Sequence, residues 1–117
     1  MVVGQAQARA DRIFHALGDA TRRDIVTRVM EREYNVSSLA GLYTMSFAAV
    51  QKHVAILERA ELISKERRGR EQLVRGNPAT IRRARQLLDQ FEAIWLARID
   101  QLDQLLAEPS RTRKGER

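Results

Sequence analysis

The chain has no cysteine in its 117 residues. That absence removes a disulfide scaffold, a thiolate metal site and a thiol redox switch together. No run approaches the ~18 apolar residues that a membrane-spanning helix needs. Arg9, Asp11 and Arg12 interrupt the apolar residues near the start, unlike the apolar stretch of a secretory leader. The expected location is therefore cytoplasmic. Lysine is scarce: Lys52, Lys65 and Lys114 are the only ones among 21 basic residues. There is no glycine-rich phosphate loop and no Ser-His-Asp spacing, and the two histidines, His15 and His53, fall on different segments. An enzyme is not expected, and no cofactor is implied.

Hydrophobic residues make up 44% of the chain, enough for a core and too many for a disordered polymer. The length allows one domain. The net charge of +6 is compatible with nucleic acid, with an anionic membrane surface, or with neither. An arginine excess is what a GC-rich genome produces. It also suits bidentate contact with phosphate and guanine, and composition does not separate the two explanations.

Periodicity divides the chain. In residues 5–17, Ala10, Ile13, Phe14 and Leu17 recur at three and four, the spacing of one helical stripe, and Gly18 closes the segment. Asp19 stands where an N-cap belongs, ahead of a second helix lined by Ile25, Val26, Val29 and Met30. Asn35 to Ser38 offer capping side chains for a short helix that contains Leu39 and Leu42 and ends near Tyr43. Thr44 to Ser46 form a turn, with Ser46 a cap for a helix reaching about Arg59. In that helix Val50, Val54 and Leu57 form the core stripe, which leaves Phe47, Ala48, Gln51, Lys52 and Ala55 on the other side.

Leu62 to Arg67 reads as a strand, Arg68-Gly69-Arg70 as a hairpin tip, and Glu71 to Arg75 as the returning strand. Pro78 fits the first turn of a last helix running to about Leu106. Leu87, Leu88, Phe91, Ile94, Trp95, Ile99, Leu102, Leu105 and Leu106 make its apolar stripe. So small a domain covers only part of that stripe, which suggests a partner helix from a second copy. Residues 1–108 are thus expected to form the folded unit. Residues 109–117, without apolar content, are expected to be a disordered basic tail that adds at most salt-sensitive attraction to DNA.

The order helix, turn, helix, strand and basic turn over residues 36–70 describes a helix-turn-helix followed by a wing, which docks a helix in a DNA major groove and braces it on the backbone. Gln51 can pair bidentately with adenine, Lys52 can reach guanine or phosphate, and Ala48 can touch a thymine methyl. Phe47 is a candidate for the same face or for the core. Ser38, Thr44 and Ser46 can donate to phosphates or serve as caps, and Ser37 reads as a cap. Arg67, Arg68 and Arg70 on the wing point to the minor groove or its rim. The bland alternatives are a solvated helix face and a solvated hairpin.

Four segments carry a family resemblance: ALGDATRRDIV at 16–26, VQKHVAILERAELI at 50–63, RRGREQL at 67–73, and the long helix with its late Trp95 at 78–106. Together they resemble the ArsR/SmtB family of bacterial winged-helix repressors, over residues 10 to about 106. The resemblance implies a mainly α fold with a small β-hairpin, and helical dimerisation arms from the first and last helices. It implies a homodimer closed by Ile13, Phe14 and Leu17 with Phe91, Ile94, Trp95, Ile99 and Leu102. It further implies repression, often of the protein's own promoter, from a pseudo-palindromic double-stranded operator held by the recognition helix 46–59 and the wing 62–75.

The family's metal-sensing motifs do not carry over. EREYNVSSL at 31–39 has no cysteine, and the last helix has Asp89, Glu92, Asp100 and Asp103 but no histidine. Two alternatives stay open: a metal-responsive repressor using His15 with Asp100 and Asp103 across a dimer, and a winged-helix protein-interaction module. His53 reads as a hydrogen-bonded structural residue. No effector is named by the sequence.

Overall fold

A computed structural model describes the backbone of residues 4–115 and the side chains of residues 4–107. The elements are α1 (Gly4–Leu17), α2 (Ala20–Glu31), β1 (Tyr34–Asn35), α3 (Val36–Ala40), α4 (Phe47–Arg59), β2 (Ile63–Arg68), β3 (Glu71–Gly76) and α5 (Pro78–Gly115). They fall into two compact units, Met1–Ala84 and Arg85–Arg117.

In the first unit α2, α3 and α4 each begin where a short polar side chain satisfies a free N–H. Asp19 accepts from the Arg22 N–H at 3.0 Å, Asn35 from Ser38 at 2.7 Å and Ser46 from Ala49 at 3.1 Å. The cap of α3 is thus Asn35, not Ser37, which is exposed. That helix stops at Ala40, and the turn to α4 starts at Gly41, three residues before the spacing predicts.

The sheet has three strands in the order β1-β3-β2, all antiparallel. The hairpin forms where expected, with Arg68 in the strand rather than at the tip, and β1 is additional. Tyr34 and Asn35 pair with Val74 and Leu73 on the free edge of β3. Two residues are too few for a periodicity signal. Arg68 pairs with Glu71, so Gly69 and Arg70 form a two-residue turn. Gly69 takes φ 63° at its first position, where L side chains are strained.

One apolar core lies beneath α4. Ile25, Leu39, Val50, Leu57, Leu62 and Val74 are fully inaccessible, and Val54 and Ile63 nearly so. Ile13 is part of this core at 4% exposure. Its place is inside its own unit, which corrects its assignment to a dimer seam and leaves Phe14 as the large apolar residue exposed on α1. Leu17 is half-buried against the same core.

The exit from α4 is a Schellman motif. Leu62 N–H donates to Leu57 O at 3.0 Å and Glu61 N–H to Glu58 O at 2.9 Å, with Leu57 and Leu62 both buried. The position that usually holds glycine is Glu61, at φ 63°. Its carbonyl accepts from Thr80 Oγ1 at 2.6 Å and Asn77 Nδ2 at 3.0 Å, which ties the start of α5 to the end of α4.

The second unit is the remainder of α5. Within it Leu88, Phe91, Trp95 and Leu102 share one stripe and are each about half exposed in the single chain. Leu96 is also exposed, off that stripe. The helix continues to Gly115 rather than ending near Leu106. The expected tail at 109–117 lies outside the residues whose side chains are described.

Candidate nucleic-acid interface

The exposed side of α4 is fixed by its buried side. Val50, Val54 and Leu57 are at most 1% exposed, so helical geometry turns Ala48, Gln51 and Lys52 outward, and all three are exposed. Ala55, on the same arc, is half-buried. Phe47 is 47% exposed and therefore belongs to the surface rather than the core. Thr44 and Ser46 lie exposed at the entry to α4, and Ser38 on α3 beside it. The Ser46 hydroxyl oxygen is occupied as the helix cap, while its proton stays available to an acceptor.

A recess of about 550 Å³ opens between the start of α3, α4 and the wing tip. Ser38, Phe47 and Gln51 line one side, and Arg70, Glu71 and Gln72 the other. Helix side chains and wing side chains thus share one concavity. It holds one carboxylate, Glu71, whose Oε2 accepts from Asn35 Nδ2 at 3.3 Å.

The wing arginines are not equivalent. Arg68 Nη2 lies 3.3 Å from Glu66 Oε1, and Arg75 Nη2 lies 2.8 Å from the same oxygen while Arg75 Nε bonds Glu33. Lys65 is paired with Glu58 at 3.4 Å. Among the described residues neither Arg67 nor Arg70 makes an ion pair, nor does Lys52. The positive charge free to meet a phosphate is therefore centred on Arg67, Arg70 and Lys52, with Arg68 partly neutralised.

Two side-chain clusters behind the interface join residues far apart in the sequence. In the first, Tyr43 in the turn before α4 donates its hydroxyl to Asp24 Oδ2 at 2.6 Å, and Arg28 Nε donates to the same oxygen at 2.8 Å. The Tyr43 hydrogen bond, then that of Arg28, holds the Asp24 carboxyl below its ordinary 3.8. Partial burial, then the bond to Asp24, pushes the Tyr43 phenol up to about 12. The pairing of Asp24 with Arg28 is visible as an i,i+4 spacing, but Tyr43 is 19 residues away. In the second cluster, Arg22 reaches His53, 31 residues on, which confirms His53 as hydrogen-bonded.

Among the described residues no group of three or more His, Cys, Asp or Glu is placed to hold a metal ion. No described helix is long and apolar enough to cross a membrane.

Comparisons with known proteins agree with this geometry. The family profile described as "Bacterial regulatory protein, arsR family" matches residues 19–65. The HTH-type transcriptional regulator Rv2034 of Mycobacterium tuberculosis is 33% identical over 81 residues, which are 69% of this chain and 76% of that protein. An ArsR-like transcriptional regulator from Rhodococcus sp. RHA1 superposes with a TM-score of 0.77 at 29% identity, covering 85% of this chain and 93% of that one. The homodimeric winged helix-turn-helix domain Mb0332 from Mycobacterium bovis shares the fold, with a TM-score of 0.62 at 21% identity over 79% of this chain and 90% of that one.

Proposed function

The chain belongs to the arsR family of bacterial regulatory proteins, and from that premise we propose that it is a homodimeric repressor of a pseudo-palindromic operator. It is a transcriptional regulator with a winged helix-turn-helix DNA-binding fold, not an enzyme. The observation that carries the finer reading is the shared concavity: Gln51 on α4 and Arg70 on the wing line one recess, on the side of α4 opposite its buried stripe.

In this reading α4 enters the major groove. Gln51 and Lys52 meet base edges, and Ala48 and Phe47 supply apolar contact. Thr44, Ser46 and Ser38 donate to phosphates, which set register without reading sequence. Arg67 and Arg70 meet the backbone or the adjacent minor groove, with Arg68 a weaker third. Binding across a promoter excludes polymerase, and the protein's own promoter is one such target.

Dimerisation is supported by the apolar stripe of α5 and by Phe14, which stand exposed in the single chain. A stripe running from Leu88 to Leu102 is more apolar surface than a monomer ordinarily leaves to water. Phe91, Ile94, Trp95, Ile99 and Leu102 are the proposed contacts, and the homodimeric Mb0332 domain offers a precedent for a dimer of this fold. No effector is assigned.

The test is fluorescence-anisotropy titration of a duplex selected from a random pool, with scrambled duplex as competitor at physiological salt. Tight binding that scrambled DNA does not displace is expected, with affinity falling steeply as salt rises because several phosphates are contacted per subunit. Displacement by scrambled DNA on equal terms, or a flat salt response, would overturn the reading. Sedimentation equilibrium of the free protein checks the dimer, and a monomer at micromolar concentration would contradict it.

A further inference from the structure

Arg22 is the most heavily engaged side chain behind the interface. Its Nε donates to Ala16 O at 2.8 Å and its Nη2 to His15 O at 3.2 Å, both carbonyls in the last turn of α1. Carbonyls at a helix C-terminus lack intrahelical partners, and a cation there also meets the negative end of the helix dipole. The third arm, Nη1, lies 3.2 Å from His53 Nδ1 on α4. A guanidinium can only donate, so His53 Nδ1 accepts and the ring proton sits on Nε2. One planar fork thus joins the end of α1, the first turn of α2 and the middle of the recognition helix. Asp19, whose carboxylate caps the Arg22 N–H, fixes the turn from which the fork projects.

The place of His53 on α4 gives this bridge its meaning. At ~100° per residue His53 sits roughly 60° around the axis from Val50, on the flank between the buried stripe and the exposed face. The apolar stripe sets how deep the helix lies, but apolar contact is non-directional and resists rolling only weakly. A hydrogen bond from the flank is directional. Side-chain tips lie about 5–6 Å from a helix axis, so a roll of ~15° carries them roughly 1.5 Å, beyond the tolerance of a preorganised binding site.

We propose that Arg22 and His53 are positioning residues for sequence recognition: the guanidinium locks the roll of α4 against the end of α1, and so aims Gln51 and Lys52 at base edges. The inference rests on the DNA-reading role of α4 proposed above. Arg22 is half-buried, and its three guanidinium nitrogens are taken up by Ala16, His15 and His53. Its loss therefore acts on the discrimination between sequences, not on the phosphate contacts made by Arg67 and Arg70.

The test measures affinity for the selected duplex and for scrambled duplex, with the salt slope of each, for the wild-type chain and for Arg22→Gln, Arg22→Lys, His53→Leu and His53→Asn. Asparagine is the conservative variant, since its carbonyl oxygen stands close to where Nδ1 stood. Arg22→Gln and His53→Leu are expected to lower the selected-to-scrambled ratio at least tenfold while scrambled affinity and both salt slopes hold. Arg22→Lys, a single point donor, recovers little of the ratio, and His53→Asn recovers most of it. A merely structural role predicts otherwise: lower thermal stability with an unchanged ratio, measured well below the unfolding temperature. That result would overturn the proposal, as would equal ratios for His53→Leu and His53→Asn. Should Arg22→Gln not fold, the two His53 variants decide the matter. A wild-type chain that does not discriminate at all would overturn the DNA-reading role and this inference together. Discrimination by the wild type that survives in His53→Leu overturns only the inference.

Discussion

Replacing Glu61 by glycine should make this protein more stable. Glu61 holds φ 63° at the exit of the recognition helix, the left-handed position of a Schellman motif. An L side chain held there costs on the order of 1–3 kcal/mol. Glycine removes that cost but loses roughly 0.5–1 kcal/mol through its freer unfolded chain. The Glu61 carboxylate also stands 3.9 Å from Arg83, both more than a third exposed, a pair whose contribution is about 0–1 kcal/mol. The net expectation for Glu61→Gly is a gain of about 1 kcal/mol over Glu61→Ala. Alanine loses the same ion pair but keeps the backbone conformation. For a domain of this size that difference corresponds to roughly 4–8 °C in Tm. The assay is thermal unfolding by circular dichroism at one protein concentration, since dimerisation would shift Tm by mass action. Glu61→Gly no more stable than Glu61→Ala would refute the left-handed assignment and the strain argument with it. DNA affinity should not change, because the backbone hydrogen bonds of the turn are retained.

Tyr43→Phe removes the hydroxyl that bonds Asp24 and should cost about 1 kcal/mol in urea unfolding at neutral pH. The Asp24 carboxyl is held below its ordinary value, so its contribution is present above 3.8 and is lost as pH falls through the lower folded value. The gap between wild type and Tyr43→Phe should therefore narrow in acid, and a constant gap would argue against the pairing. Gly76→Ala would place a methyl against the Met30 thioether, at a separation that real side chains do not show. Because Met30 is 37% exposed and can swing aside, the cost should be about 1 kcal/mol, and a double-mutant cycle with Met30→Ala should abolish it. Additive costs in that cycle would show that the two residues do not meet. Gln51→Ala should lose about 1–3 kcal/mol of preference at one base-pair position while scrambled affinity holds. Arg70→Ala should weaken binding to every sequence and lower the salt slope by about 1 per subunit. Interchange of those two phenotypes would reverse the assigned roles.

The recognition helix was legible because its pattern is local. Val50, Val54 and Leu57 recur at four and three, and burying that stripe leaves only one face for Ala48, Gln51 and Lys52. The caps at Asp19 and Ser46, the glycine of the wing tip and the proline opening α5 were equally local, each marking a backbone need that few residue types meet. Basic residues on the wing were visible as composition, but not their partners. Only the fold shows that Glu66 engages Arg68 and Arg75 while Arg67 and Arg70 make no ion pair among the described residues.

Tertiary structure decided what depends on distance through space. Ile13 and Phe14 share one apolar stripe in the sequence, yet packing buries the first and exposes the second, because the stripe is wider than the core that receives it. Tyr34 and Asn35 become a strand only because the edge of β3 offers unpaired backbone groups. Arg22 reads as one more solvated arginine until the chain folds back and brings His53 within hydrogen-bond reach. Periodicity and capping reach only one or two turns along the chain, so they determined the elements and the outward face of α4. Hydrogen bonds between residues 19 and 31 apart tie α2 to the turn before α4 and to α4 itself, and their partners are set by topology alone.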